Sequence, residues 1–213
     1  MTWFDGLCNF TIFTPKFMDT TRKFISIKAY AILLLAVLCS YFVLLSNIWG
    51  YTILHDWNYF NSLSYIVHSL VHQYHKFPMH DPWVLGGFDI LANPQSRVFS
   101  PLGIFDLFFI APVANALSLV VLGFVGVLGC YKLLIYQNTR PSVALAGSII
   151  FINASWFSLH FTVGHIPFGS FQLLALGFYF ILRLREPRYM VYLSLLMAFF
   201  LLDGGVYVFV FSL

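Results

Sequence analysis

Charge is what this sequence has least of. Asp, Glu, Lys and Arg make up 9% of its 213 residues, against about a quarter in an ordinary soluble domain. So few polar side chains cannot cover the outside of a water-soluble fold of this length, so that class is excluded. Cysteine is also scarce: Cys39 and Cys130 fall inside apolar runs, Cys8 lies near the start, and none has a partner at metal-ligand spacing. They read as inert packing residues. No basic face interleaved with aromatics and no nucleic-acid-binding pattern occurs, so no nucleic-acid partner is expected. Nucleophile-elbow, phosphate-loop, dinucleotide and zinc-protease patterns are missing too. Neither a cofactor nor a metal is therefore called for.

What fills the sequence instead is apolar surface: 60% of residues are hydrophobic and 20% aromatic. The run 29–49 has about 21 residues, matching a hydrocarbon core about 30 Å thick. It reads as a retained anchor rather than a cleaved leader. Lys16, Arg22, Lys23 and Lys28 precede it, which by the positive-inside rule puts the N-terminus in the cytoplasm. Residues 50–112 then form a first outer loop, too rich in His, Asn, Asp, Pro and Gly to cross as a helix. Within it, 57–76 places Phe60, Leu63, Ile66, Val67, Leu70 and Val71 on one face, as in an amphipathic helix lying in the membrane interface. The segment after it, through Leu102, is dense in turn-formers and is predicted to be irregular.

Further spans are predicted at 113–136, 142–159, 168–182 and from 189 onward. The fold class is thus an all-α membrane protein of about five transmembrane helices, one transmembrane domain over 1–213. Nine of the eleven Lys and Arg residues fall on the predicted inner side, leaving Lys76 and Arg97 outside. The sequence ends within an apolar run, FVFSL, so it reads as the N-terminal part of a longer polytopic chain.

The same topology sends His55, Asp56, Asp81, Arg97, His160, His165 and Asp203 toward the outer face. Asp56 lies 28 residues after Lys28, about 42 Å if helical, past the core and at the outer headgroup level. There it is either a base or the N-cap of the amphipathic helix. Asp203 lies 15 residues beyond Arg188, about 22 Å, and so must face protein or a wet cavity. Arg97 is the better outer cation for a lipid phosphate, and His165 is a weaker phosphate or sugar contact. Trp57, Tyr59 and Trp83 could stack on sugar rings or simply populate the interface. His68, His72 and His75 share a helix side at metal-permitting spacing, but no Asp or Glu lies among them and the imidazoles equally suit a headgroup-level helix.

The stretch HDPWVLGGFDILANPQSRVFSPL resembles the first outer loop of GT-C type polytopic glycosyltransferases, particularly the YfhO-like membrane proteins. Matching positions are Pro78, Pro82, Gly86, Gly87, Leu91, Ala92, Asn93, Pro94, Gln95, Phe99, Pro101 and Leu102. Asp56, the Gly164–His165 pair and Gly204–Gly205 extend the likeness, while His80, Asp81 and Asp89 depart from it. The resemblance implies transfer of a sugar from a polyprenyl-phosphate donor to a cell-envelope glycan, lipid or protein acceptor at the outer face of a bacterial inner membrane. It implies Asp56 as general base with Asp81 assisting, and Arg97, His55, His165, Trp83, Asn93, Gln95 and Asp203 as substrate contacts. The alternative is a non-enzymatic polytopic protein: a transporter, a flippase subunit or an inactive fragment.

Overall fold

The computed structural model describes residues 27–46, 56–84, 86–90 and 92–212. His55, Leu91, Cys8 and the basic residues Lys16, Arg22 and Lys23 lie outside the described residues, as does the end of the first predicted span. Of the described residues 74% are helical, with almost no sheet.

Helix α1 (Ile27–Ser40) leads into the short α2 (Phe42–Ser46). Ala29, Leu33, Val37 and Tyr41 recur every four residues and are buried, while Ile32, Leu35, Leu38 and Phe42 stay exposed. Tyr41 NH still donates to Val37 O at 3.0 Å and Leu45 NH to Tyr41 O at 2.8 Å, carrying the helical ladder across the join.

Helix α3 (Asp56–His72) begins one residue before the amphipathic stretch read from sequence. Its stripe of Trp57, Phe60, Ile66, Val67 and Leu70 is buried. It packs on α4 (Ile104–Phe108) and α5 (Ala111–Tyr136), so this apolar face is covered by protein rather than turned to the membrane interface. The predicted irregular segment is also more ordered than expected: β1 (His80–Asp81) pairs antiparallel with β2 (Phe88–Asp89), His80 opposite Asp89. A 3-10 turn, Pro101–Gly103, opens with Ser100 Oγ accepting from Leu102 NH.

Helix α5 is the hub, packing on α1, α6 (Pro141–Ile152), the 3-10 helix Ile166–Leu173 and α8 (Leu174–Ile181), which follows α7 (Ser155–Val163). Close approach is possible because α5 carries small residues on this side. A Cβ at Gly126 would lie 2.6 Å from Gln172 O, so any larger residue would push the two backbones apart. Tyr41 donates its hydroxyl to Gln172 Oε1 at 2.6 Å across the same seam.

Among the described residues two stretches, Ala111–Tyr136 and Pro141–Val163, are long and apolar enough to cross a membrane, with mean hydropathies of 2.2 and 1.6. Ile27–Ser40, Ile166–Ile181 and Pro187–Leu202 are apolar but shorter. The predicted fourth span falls short because its first half winds as a 3-10 helix; at about 2.0 Å per residue there and 1.5 Å in α8 it still extends about 28 Å. The fifth, α9 (Pro187–Leu202), stops at Asp203–Gly205 before α10 (Val206–Ser212) resumes.

The outward faces of these helices carry Leu35, Ile150, Leu159, Phe178, Val191 and Leu195, all exposed. Buried among them are Asn115, Ser118, Ser148, Ser170, Gln172 and Asp203. Large apolar side chains outside and polar ones inside is the reverse of a water-soluble arrangement.

The two ends of the bundle differ. Tyr136 OH donates to Leu182 O at 3.2 Å, so the turns after α5 and after α8 lie together. Around them Arg183 donates to Tyr179 OH at 2.7 Å, sits 4.3 Å over the Tyr189 ring and pairs with Glu186, which also pairs with Arg188. Gly164 and His165 stand at the opposite end of the same helices.

Candidate functional site

At that opposite end, Asp56 and His165 meet. Asp56 Oδ2 lies 3.0 Å from His165 Nε2, joining residues from the start of α3 and the end of α7. Gly164 sets this juncture: its φ of +96° is left-handed, and a Cβ there would fall 2.3 Å from Trp57 N. Only glycine supplies both the conformation and the clearance. Trp57 Nε1–H donates to Phe161 O at 2.8 Å and locks α3 to α7.

His165 Nδ1 is in turn 2.7 Å from His160 Nδ1. Protons can be assigned along this chain: a carboxylate accepts from His165 Nε2–H, so in the neutral ring Nδ1 accepts from His160 Nδ1–H. Trp156 lies against the His160 ring at 4.3 Å, and Phe168 packs edge-on to both imidazoles. The rings are held in place, yet the Asp56 side chain is 53% exposed and that of His165 31%. An oriented, accessible carboxylate can take a proton from a bound hydroxyl.

A second polar cluster is sealed. Arg97 is 8% exposed, and its Nη2 donates to Ser118 Oγ at 2.8 Å. Its guanidinium lies 3.9 Å from Asp106 Oδ2 and 4.0 Å from Asp203 Oδ1. Asp203 accepts from Ser100 Oγ at 2.6 Å and from Ser170 Oγ at 2.9 Å. Alongside, Asn115 Nδ2 donates to Asn61 Oδ1 at 2.8 Å and Ser64 Oγ to Asn115 Oδ1 at 3.3 Å. A cavity of about 20 Å³ borders Ser64, Arg97, Asp106 and Asn115, room for one water. Burial pushes the Asp106 carboxyl above its ordinary range, with the Arg97 charge pulling the other way.

Arg97 is therefore enclosed by protein rather than presented to a lipid phosphate, which corrects the sequence expectation. Its work is to tie the outer loop to the break after α9. Gln95 shares that work: its carbonyl would be 2.9 Å from a Cβ at Gly204, so the loop backbone rests directly on the Gly-Gly step. Asp203, expected to face protein or a wet cavity, faces protein.

The remaining expected site residues are dispersed. Asp81 is fully buried and Oδ1 accepts from Trp83 NH at 2.8 Å, fixing the hairpin turn; no hydrogen bond joins it to Asp56 among the described residues. Asn93 Nδ2 donates to Tyr59 OH at 2.9 Å while its Oδ1 accepts from Gln95 NH, so it too shapes the loop. Trp83 is half exposed and lies beside Tyr74. His55 lies outside the described residues.

His68 Nδ1–H donates to Asp106 O at 3.1 Å and His72 Nε2–H to Leu107 O. These imidazoles satisfy carbonyls that the last turn of α4 leaves unpaired. Among the described residues no group of three His, Cys, Asp or Glu side chains is placed to hold a metal.

Nothing local to Ser100, Asp106 or Ser170 marks them in the sequence. Asn115 and Ser118 did carry a signal, two polar residues three apart on one face of an apolar run, where an unpartnered polar group is costly. No family model, curated protein or solved structure matches this chain.

Proposed function

We propose that this chain works in a bacterial inner membrane as a glycosyltransferase that takes its sugar from a polyprenyl-phosphate donor on the outer side. In this reading five apolar segments cross the bilayer, with the Arg183–Arg188 end cytoplasmic and the Asp56–His165 end outside. The apolar outward faces and the concentration of Lys and Arg at one end support that placement. The observation that carries the reaction is Asp56: more than half exposed, held by His165, at the end of the bundle away from the arginines.

The acceptor hydroxyl gives its proton to the Asp56 carboxylate as its oxygen attacks the anomeric carbon. The bond from that carbon to the phosphate oxygen breaks on the opposite face, its electron pair leaving with the polyprenyl phosphate, so the anomeric configuration inverts. His165 is a positioning residue that fixes the carboxylate.

The test is Asp56→Asn in native membranes supplied with radiolabelled polyprenyl-phosphate sugars. Transfer should fall by about 10² to 10⁴-fold, the usual contribution of a general base, at unchanged protein abundance. Unaltered transfer removes Asp56 from the mechanism. If wild-type membranes transfer no sugar above a deletion strain, the non-enzymatic reading as a transporter or flippase subunit stands instead.

A further inference from the structure

On the outer loop, away from the Asp56–His165 pair, Tyr65, Ser69, Gln73, Tyr74 and Trp83 enclose an open pocket of about 250 Å³. Tyr65, Ser69 and Gln73 are four residues apart along α3 and its continuation and make one wall. The Asp81-anchored turn brings Trp83 across to make the other. Tyr65, Tyr74 and Trp83 are about half exposed, and the Tyr74 and Trp83 rings lie 5.5 Å apart at 55°. Ser69 is 2% exposed and its hydroxyl oxygen is closed to solvent, so it backs this wall rather than opening on the pocket.

Three chemistries could use such a pocket, and its lining separates them. A phospholipid headgroup calls for a cation or a cluster of backbone N–H groups at its phosphate, but none of the five lining side chains is charged. A quaternary ammonium suits an aromatic cage, yet it has no group to pair with either end of the Gln73 amide. A neutral sugar ring uses both features: its C–H face lies on Trp83 or Tyr74, and its hydroxyls, each both donor and acceptor, match the Gln73 amide. The volume is below the roughly 300 Å³ at which pockets begin to bury drug-sized ligands, which suits a single pyranose unit.

We propose that this pocket is a binding subsite for a neutral pyranose of a glycan, separate from the reacting centre. It deepens the transferase reading by naming a neutral glycan as what the outer loop holds, but binding here requires no transfer and is measured without it.

The experiment is saturation-transfer difference NMR on the full chain in lipid nanodiscs, with methyl glycosides of glucose, galactose and N-acetylglucosamine as probes and phosphocholine and tetramethylammonium as controls. At least one glycoside should receive saturation with millimolar affinity. Trp83→Ala should weaken it about tenfold, as the loss of one ring-stacking contact implies, and Trp83→Phe should restore most of it. Gln73→Leu, which keeps the side chain's bulk and removes its amide, should weaken it severalfold while leaving thermal unfolding unchanged. The proposal is overturned if no glycoside binds, if binding ignores both Trp83→Ala and Gln73→Leu, or if only phosphocholine or tetramethylammonium binds. Because no step of the assay depends on Asp56, failure of the base assignment and failure of the subsite give different results.

Discussion

Asp56 and Asp203 are the same side chain in opposite circumstances. Asp203 is 1% exposed and spends its oxygens on two serine hydroxyls, with a guanidinium nearby. Asp56 is open to its surroundings and touches one imidazole. A buried ion pair that loses one partner leaves a charge stranded in low dielectric, whereas an exposed one loses little. Asp203 therefore belongs to the architecture, while Asp56 is free for the proposed chemistry. The difference comes from burial and partner count rather than residue type.

That contrast can be broken by substitution. Arg97→Leu should have the largest effect on stability, because Asp106 and Asp203 both lose its guanidinium; a loss of about 3–5 kcal/mol is expected in detergent unfolding. Gly164→Val comes next, since a side chain there meets Trp57 N and opposes the left-handed backbone. It should cost about 1–3 kcal/mol and impair transfer by separating Asp56 from His165. His72→Phe, leaving Leu107 O unpaired at the end of α4, should cost about 0.5–1.5 kcal/mol by the same measurement. Asp56→Asn should sit at the bottom of this series, within about 0.5 kcal/mol, while still removing sugar transfer. An Asp56→Asn protein as unstable as Arg97→Leu would erase the distinction.

The sealed cluster also makes a pH prediction. Burial raises the folded-state pKa of Asp106 above its unfolded value. The stability this group contributes is thus fully present below the unfolded pKa and lost as pH rises through the folded one. Asp106→Asn cannot titrate, so through the pH range above about 4, the unfolded carboxyl's own value, its unfolding midpoint should gain on the wild type. A constant difference across that range would show that Asp106 does not titrate differently on folding.

The helices were the legible part. Apolar runs and their flanking cations marked α1, α5 and the Pro141–Val163 stretch, and the 3.6-residue period marked α3. Asp56 and His165 were both singled out from sequence, although nothing local says that residues 109 positions apart touch. The partners of Arg97 stayed hidden for the same reason: Ser100, Asp106, Ser118 and Asp203 come from four separate elements and share no periodicity. A cation in an outer loop looks available until α5 and the end of α9 close over it. The β-hairpin was missed because two-residue strands leave too short a pattern to read.

The proposed transfer requires Asp56 and the Arg183–Arg188 turn to lie on opposite sides of a bilayer. With the native cysteines replaced, single cysteines at Asn58 and at Arg185 can be treated in intact cells with a membrane-impermeant maleimide. Labelling of Asn58→Cys without permeabilisation, and of Arg185→Cys only after it, is the expected result. Labelling of Arg185→Cys in intact cells with Asn58→Cys protected, or equal labelling of both, would contradict it.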